Sequence, residues 1–126
     1  MSFEEAELKR DETILKVSLL EMENAALAFF YENTINLGTV AFALPGTAET
    51  SVGTSSILLG GRYLLVSRAL AERVSVSLRK MSLVSVRTTL PEGEALRIFV
   101  KLFENVLSSR SDSKRERSLS GQNQAG

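Results

Sequence analysis

Between Thr13 and Leu44 three apolar runs follow one another, separated by only a few polar residues. In TILKVSLLE, residues 13–21, Leu15, Val17 and Leu19 alternate with Lys16 and Ser18, the period of a strand with one buried face. AALAFFYE, Ala25 to Glu32, is almost wholly apolar and suits a well-covered strand. In LGTVAFAL, Val40, Phe42 and Leu44 fall on one face. Thr39, Ala41 and Ala43 fall on the other, small enough for something to pack closely against them. Turn-forming stretches at Glu21–Asn24 and Asn33–Asn36 separate the runs, so the pattern predicts an antiparallel meander.

Pro45-Gly46 stops the third run, because proline lacks a donor and glycine favours a turn. Thr47 to Gly53 reads as a polar loop without a period, and TSSILLGG, Thr54 to Gly61, as a short strand ending in a glycine pair. From Arg62 to Lys80 the residues Tyr63, Val66, Leu70, Val74 and Leu78 recur at three- and four-residue steps, one apolar stripe of a helix. Met81 to Arg87 reads as another strand. Pro91 to Leu107 reads as a second helix, with Thr88 or Thr89 as its cap and Leu96, Phe99, Leu102, Phe103 and Val106 on one broad face. After Ser108 only Leu119 is large and apolar, too little to offset the entropy of ordering, so a disordered tail is expected over 108–126. The expectation is α+β: an antiparallel sheet or sandwich in the order β-β-β-β-α-β-α, with two flanking helices. An acidic segment 1–12 precedes a single domain at 13–107.

A chain of 126 residues fits one domain and buries enough surface to stand without covalent staples. It has no cysteine, which removes disulfides and thiolate zinc sites and suits a reducing interior. It has no histidine, which removes serine–histidine and cysteine–histidine catalysis and imidazole metal cages. The acidic start is the opposite of a secretory signal, and no stretch approaches the roughly 20 apolar residues that span a bilayer. A cytoplasmic protein without a membrane partner follows as the expectation. The formal net charge is zero, short of the basic excess usual for nucleic-acid binders.

Few groups remain that could do chemistry, and each has a plainer reading. Gly60, Gly61 and Arg62 lie between a strand and a helix N-terminus, where an anion can bind, yet neither phosphate-loop fingerprint is present. A sharp strand-to-helix turn explains the glycines as well. Glu21, Glu23, Glu32 and Glu49 sit in turns, loops or strand ends, where carboxylates are ordinarily solvated rather than paired for hydrolysis or metal binding. The hydroxyls of Thr50, Ser51, Thr54, Ser55 and Ser56 lack an activating base, and nothing places Lys16 beside them. No enzyme, no cofactor and no metal is the expectation.

Two features point instead to a protein partner. The helix over 62–80 carries Arg62, Arg68, Arg73, Arg79 and Lys80, bases suited to an acidic patch on another molecule. The run from Ala25 carries Phe29, Phe30 and Tyr31 on both faces of a strand, while two helices cover only one face of a sheet. Side chains left uncovered would form a patch of the kind that marks interfaces, and a dimer would bury it.

The element order, the stretch LKVSLLEMENAALAFFYENTINLGTVAFALPG and above all TSSILLGG leading into a helix resemble the proteasome assembly chaperone 3/4 family. The strand LRKMSLVSVRT and the last helix continue the resemblance, which covers Leu15 to Leu107 and has Thr54 to Gly60 as its short motif. It implies a small non-enzymatic chaperone, paired as a homodimer or with a related chain, that binds proteasome α-subunits while the α-ring forms. The composition, rich in Arg, Glu, Leu and Val, suits an archaeal member. With the motif, the resemblance adds Thr54, Ser55 and Ser56 to the expected dimer surface. The rival is a dimeric scaffold of the roadblock or longin kind, which interposes a helix after the second strand; here four strands are expected before any long helix.

Overall fold

The computed structural model describes the backbone of residues 2–46 and 54–125, and side chains over 2–46 and 55–110. Among these residues six strands and two helices follow in chain order: β1 (Glu4–Arg10), β2 (Thr13–Glu21), β3 (Ala25–Glu32), β4 (Thr39–Leu44), β5 (Thr54–Leu59), α1 (Leu64–Leu78), β6 (Met81–Val86) and α2 (Glu92–Ala125). The strands form one sheet in the order β1-β2-β3-β6-β4-β5, an α+β architecture with both helices on one face. The expected loop at 47–53 lies outside the described residues.

The boundaries of β2 to β6 and of α1 follow the sequence expectation closely, but the pairing departs from a simple meander. β2 and β3 do form an antiparallel hairpin, with Val17 opposite Phe30 and Leu19 opposite Ala28. β4 does not continue it. β6 inserts between them, parallel to β3 and antiparallel to β4, so the sheet is mixed. The residues after Glu32 form no tight turn; they carry the chain across the width of a strand to Gly38. A Cβ at Gly38 would run into the Val86 carbonyl, so glycine is what lets the chain pass the end of β6. Its amide donates to Ser85 Oγ at 2.9 Å, tying the crossing to that strand.

The acidic start is a strand. Glu4 to Arg10 pairs antiparallel with β2 through a turn at Asp11–Glu12, where Asp11 adopts a positive φ of 56°. Ala6 faces Val17 and packs on the core. Its acidic neighbours masked the alternation, because an edge strand with one solvated face and one half-covered face needs few apolar residues.

The core lies between the helices and one sheet face. Leu15, Val17 and Leu19 of β2, Ala26, Ala28 and Phe30 of β3, Val84 and Val86 of β6 and Ala41 and Ala43 of β4 point into it. They meet Val66, Leu70, Ala71 and Val74 of α1 and Ala95, Phe99, Phe103 and Val106 of α2. The small face expected on β4 is where α1 lies down: Ala41 and Ala43 are fully buried, and Ser82 Oγ donates to the Ala71 carbonyl at 2.6 Å. Phe30 and Phe99 meet edge to face, 5.5 Å between ring centroids.

α2 continues past the apolar stripe that ends near Leu107 and runs on to Ala125. Arg110, a base placed by sequence in a solvated tail, is docked. Its Nε donates to Glu4 at 2.9 Å, its Nη2 to the other oxygen of the same carboxylate, and its Nη1 to Glu21 at 2.6 Å. One side chain thus binds α2 to β1 and to the end of β2. Lys80 also reaches Glu21 at 2.6 Å and the Met22 carbonyl at 2.7 Å. Partial burial alone would raise the Glu21 carboxyl, but the hydrogen bonds and charges of Lys80 and Arg110 hold it below the usual range.

Candidate functional site

Because side chains alternate along a strand, the residues between the core positions face away from the helices. Leu20 stands opposite Leu27, Leu27 opposite Leu83, Leu83 opposite Phe42, and Phe42 opposite Ser56. This is one continuous apolar rung across four strands, ending in a serine. A second rung, Ala25 and Met81, lies on one side of it. A third, Ser18, Phe29, Ser85, Val40 and Leu59, lies on the other. Phe3, just before β1, meets Phe29 edge-on at 6.3 Å. Met81, Leu83, Leu44, Leu59 and Phe3 are each more than a third exposed. At the end of this face towards Glu32 the character changes: Tyr31 and Ser18 share a hydroxyl hydrogen bond of 2.8 Å, and Lys16 lies 4.0 Å from both Glu5 and Glu7.

The expected surface residues divide between the two faces. Phe29 and Ser56 stand on the uncovered face; Tyr31 shares it but is packed down by Ser18. Phe30, expected at the surface, is fully buried under the helices, because the register that exposes Phe29 turns its neighbour inward. Ser55 also turns to the helix side, donating to Glu72 at 2.7 Å and accepting from Arg68 Nε at 3.2 Å. The Thr54 side chain lies outside those described. The sequence places Phe42 on one face of its strand, but Leu20, Leu27 and Leu83, which dominate the rung with it, are not singled out, since their grouping depends on the insertion of β6.

The five expected bases do not form one patch. Arg73 is paired with Glu104 of α2 at 2.5 Å, and Lys80 is spent on Glu21. Arg79 ends α1 in the left-handed conformation, φ 57°, with an exposed side chain. Arg62 and Arg68 are exposed near the start of the helix, beside Leu65, 72 % exposed. What remains open on α1 is a mixed basic and apolar surface.

Gly60, Gly61 and Arg62 line a cleft of about 490 Å³ with Gly38, Arg87, Thr88, Thr89 and Glu32. Two of its threonines are already engaged: Thr88 Oγ1 and the Thr89 amide donate to Glu32, as does Thr89 Oγ1 at 3.0 Å. Burial works to raise the Glu32 carboxyl, yet these hydrogen bonds keep it below the usual range, an anion in the cleft. Gly60 is required by the turn itself. Its φ of 113° and a Thr39 hydroxyl 2.6 Å from any added Cβ exclude other residues, while Gly61 faces open space. The turn reading therefore accounts for Gly60, and an incoming phosphate would meet a carboxylate. Among the described residues no cluster of acids could hold a metal ion, and no helix is long and apolar enough to cross a membrane.

No protein-family model and no curated protein matches the chain. A solved structure does: a chain of a novel chaperone complex for yeast 20S proteasome assembly, superposing with a TM-score of 0.62 at 14 % identity. The match covers 84 % of this chain and 98 % of that one. The six-stranded sheet with its two helices is thus a fold found in a proteasome-assembly chaperone complex.

Proposed function

We propose that the protein is a non-catalytic assembly chaperone that pairs through the uncovered face of its sheet and binds proteasome α-subunits as the α-ring forms. The observation that carries this reading is the rung Leu20, Leu27, Leu83 and Phe42, with Phe29, Met81 and Leu44 beside it: an apolar surface that neither helix shields. Surfaces of this kind on a small domain mark protein interfaces. The shared fold with a yeast proteasome-assembly chaperone complex supports the choice of partner class. The partner across the sheet is a second copy or a related chain. Arg62, Arg68 and Arg79, exposed with Leu65 along α1, supply contacts for acidic groups on an α-subunit. Binding is weak and reversible, so that a growing ring interface displaces the chaperone.

The roadblock or longin alternative needs a helix after the second strand. Among the described residues none occurs between Glu32 and Gly46, and five strands precede α1. The test is to mix the protein with purified monomeric α-subunits and follow complex formation by size-exclusion chromatography with light scattering. A complex that forms, and that an Arg68→Glu, Arg79→Glu variant weakens, is expected; α-subunits that elute unchanged would end the reading.

A further inference from the structure

At the opposite edge of the molecule from β5, the free side of β1 and the flank of α2 enclose a groove of about 380 Å³. Leu8, Ile98 and Leu102 form its apolar floor. Leu8 is 44 % exposed, whereas Ile98 and Leu102 are nearly covered. Arg97 and Lys101, on successive turns of α2, rim the groove. Arg10, at its end, is held by Glu94, but among the described residues neither Arg97 nor Lys101 has an ion-pair partner. β1 is the terminal strand of the sheet, so its outer backbone N–H and C=O groups have no strand beside them.

We propose that this groove takes an extended acidic–apolar segment of a partner protein, which adds to β1 as a seventh strand. Strand periodicity sets the pattern. Every second side chain of the segment points to the helix side, so an apolar residue on Leu8, Ile98 and Leu102 has carboxylates two positions before and after it, reaching Arg97 and Lys101. The intervening residues meet the alternate set of β1 side chains, Glu5, Glu7 and Lys9, and beside Glu5 and Glu7 a further acid is repelled. The recognised sequence is therefore acid-x-apolar-x-acid with uncharged x. The same charges that keep β1 from pairing indiscriminately select this segment. The site does not rest on the chaperone reading, since it uses neither the uncovered sheet face nor α1.

The experiment uses the full chain and a fluorescein-labelled peptide, Thr-Glu-Thr-Leu-Thr-Glu-Thr, titrated by fluorescence anisotropy. Saturable binding is expected, with new hydrogen-exchange protection confined to the amides of β1. Replacing both peptide glutamates by lysine, or introducing Arg97→Glu with Lys101→Glu on the exposed side of α2, weakens it by about tenfold or more. Leu8→Glu, at a half-exposed position that a circular dichroism spectrum can confirm as folded, does the same. A peptide N-methylated along the edge that faces β1 does not bind. No saturation up to about 1 mM, or binding indifferent to the charge swaps and to Leu8→Glu, would overturn the proposal.

Discussion

Leu83 of β6 sits between Leu27 of β3 and Phe42 of β4 on the sheet face that no helix covers, 38 % exposed in the single chain. Its two neighbours along the strand, Ser82 and Val84, are fully buried under the helices. Period two therefore splits β6 into a half that holds the fold together and a half available to a partner.

Leu83→Glu places a charge at the centre of the apolar rung without touching the core. The far-UV circular dichroism spectrum is expected to stay native, while association through the sheet face weakens by at least about tenfold, because a buried unpaired carboxylate costs several kcal/mol. Sedimentation velocity across a concentration series reads the change. The contrasting variant is Phe99→Ala, in the core between the sheet and α2. It is expected to cost about 3–5 kcal/mol in urea denaturation.

Arg110 holds α2 to Glu4 and Glu21 with three donor nitrogens, and the two carboxylates in turn keep its guanidinium protonated more firmly than usual. Arg110→Ala is expected to lower stability by about 1–2 kcal/mol, since charge-assisted hydrogen bonds are lost from a partly covered site. Hydrogen exchange should show the loss first in β1, the edge strand that Arg110 pins. Arg110→Lys recovers only part of it, because one ammonium cannot match the forked geometry that spans both acids.

The Glu21 and Glu32 carboxyls titrate lower in the folded protein than their ordinary value of 4.5. The folded state therefore binds these protons more weakly than the unfolded chain. The stabilisation they give is full above pH 4.5 and is lost as the pH falls through their folded values. Urea midpoints are expected to drop as the pH is lowered from 4.5. The drop should be smaller in Glu32→Gln, which surrenders its share of the stabilisation at neutral pH.

The glycine pair separates a conformational requirement from an anion site. Gly60→Ala, at φ 113° against Thr39, is expected to cost about 1–3 kcal/mol, and Gly61→Ala less than about 0.5 kcal/mol. Neither is expected to change under titration with inorganic phosphate, because the Glu32 carboxylate lies in that cleft and already engages the Thr88 and Thr89 donors. Stability curves measured with and without phosphate check both statements.

Periodicity made β2, β4 and the start of both helices readable, because in each the apolar residues lie on one repeating face, while β3 and β5 were readable as short runs bounded by turn residues. It read Thr39, Ala41 and Ala43 as a small face against which something packs closely, and α1 is what packs there. It missed β1, whose residues EEAELKR carry charge on both faces of an edge strand. It also missed the insertion of β6 between β3 and β4, for alternation fixes which way a side chain points and says nothing of which strand lies beside it. The candidate docking face suffered from this second gap. An uncovered apolar surface was foreseeable from two helices on one sheet, but Phe30 could be told from Phe29, and Leu83 joined to Phe42, only once the register was known. The bases of α1 were legible as charges, yet the ion pairs that engage Arg73 and Lys80 come from residues distant in sequence.

The most direct test is the solution mass of the wild-type chain and of Leu83→Glu, alone and mixed with monomeric proteasome α-subunits, by sedimentation equilibrium at micromolar concentration. The wild type is expected near twice its 13.8 kDa chain mass, or in complex with the α-subunits, and Leu83→Glu at the single-chain mass when alone. A wild-type protein that remains at 13.8 kDa in both conditions would contradict the account, for its uncovered sheet face would then have no partner.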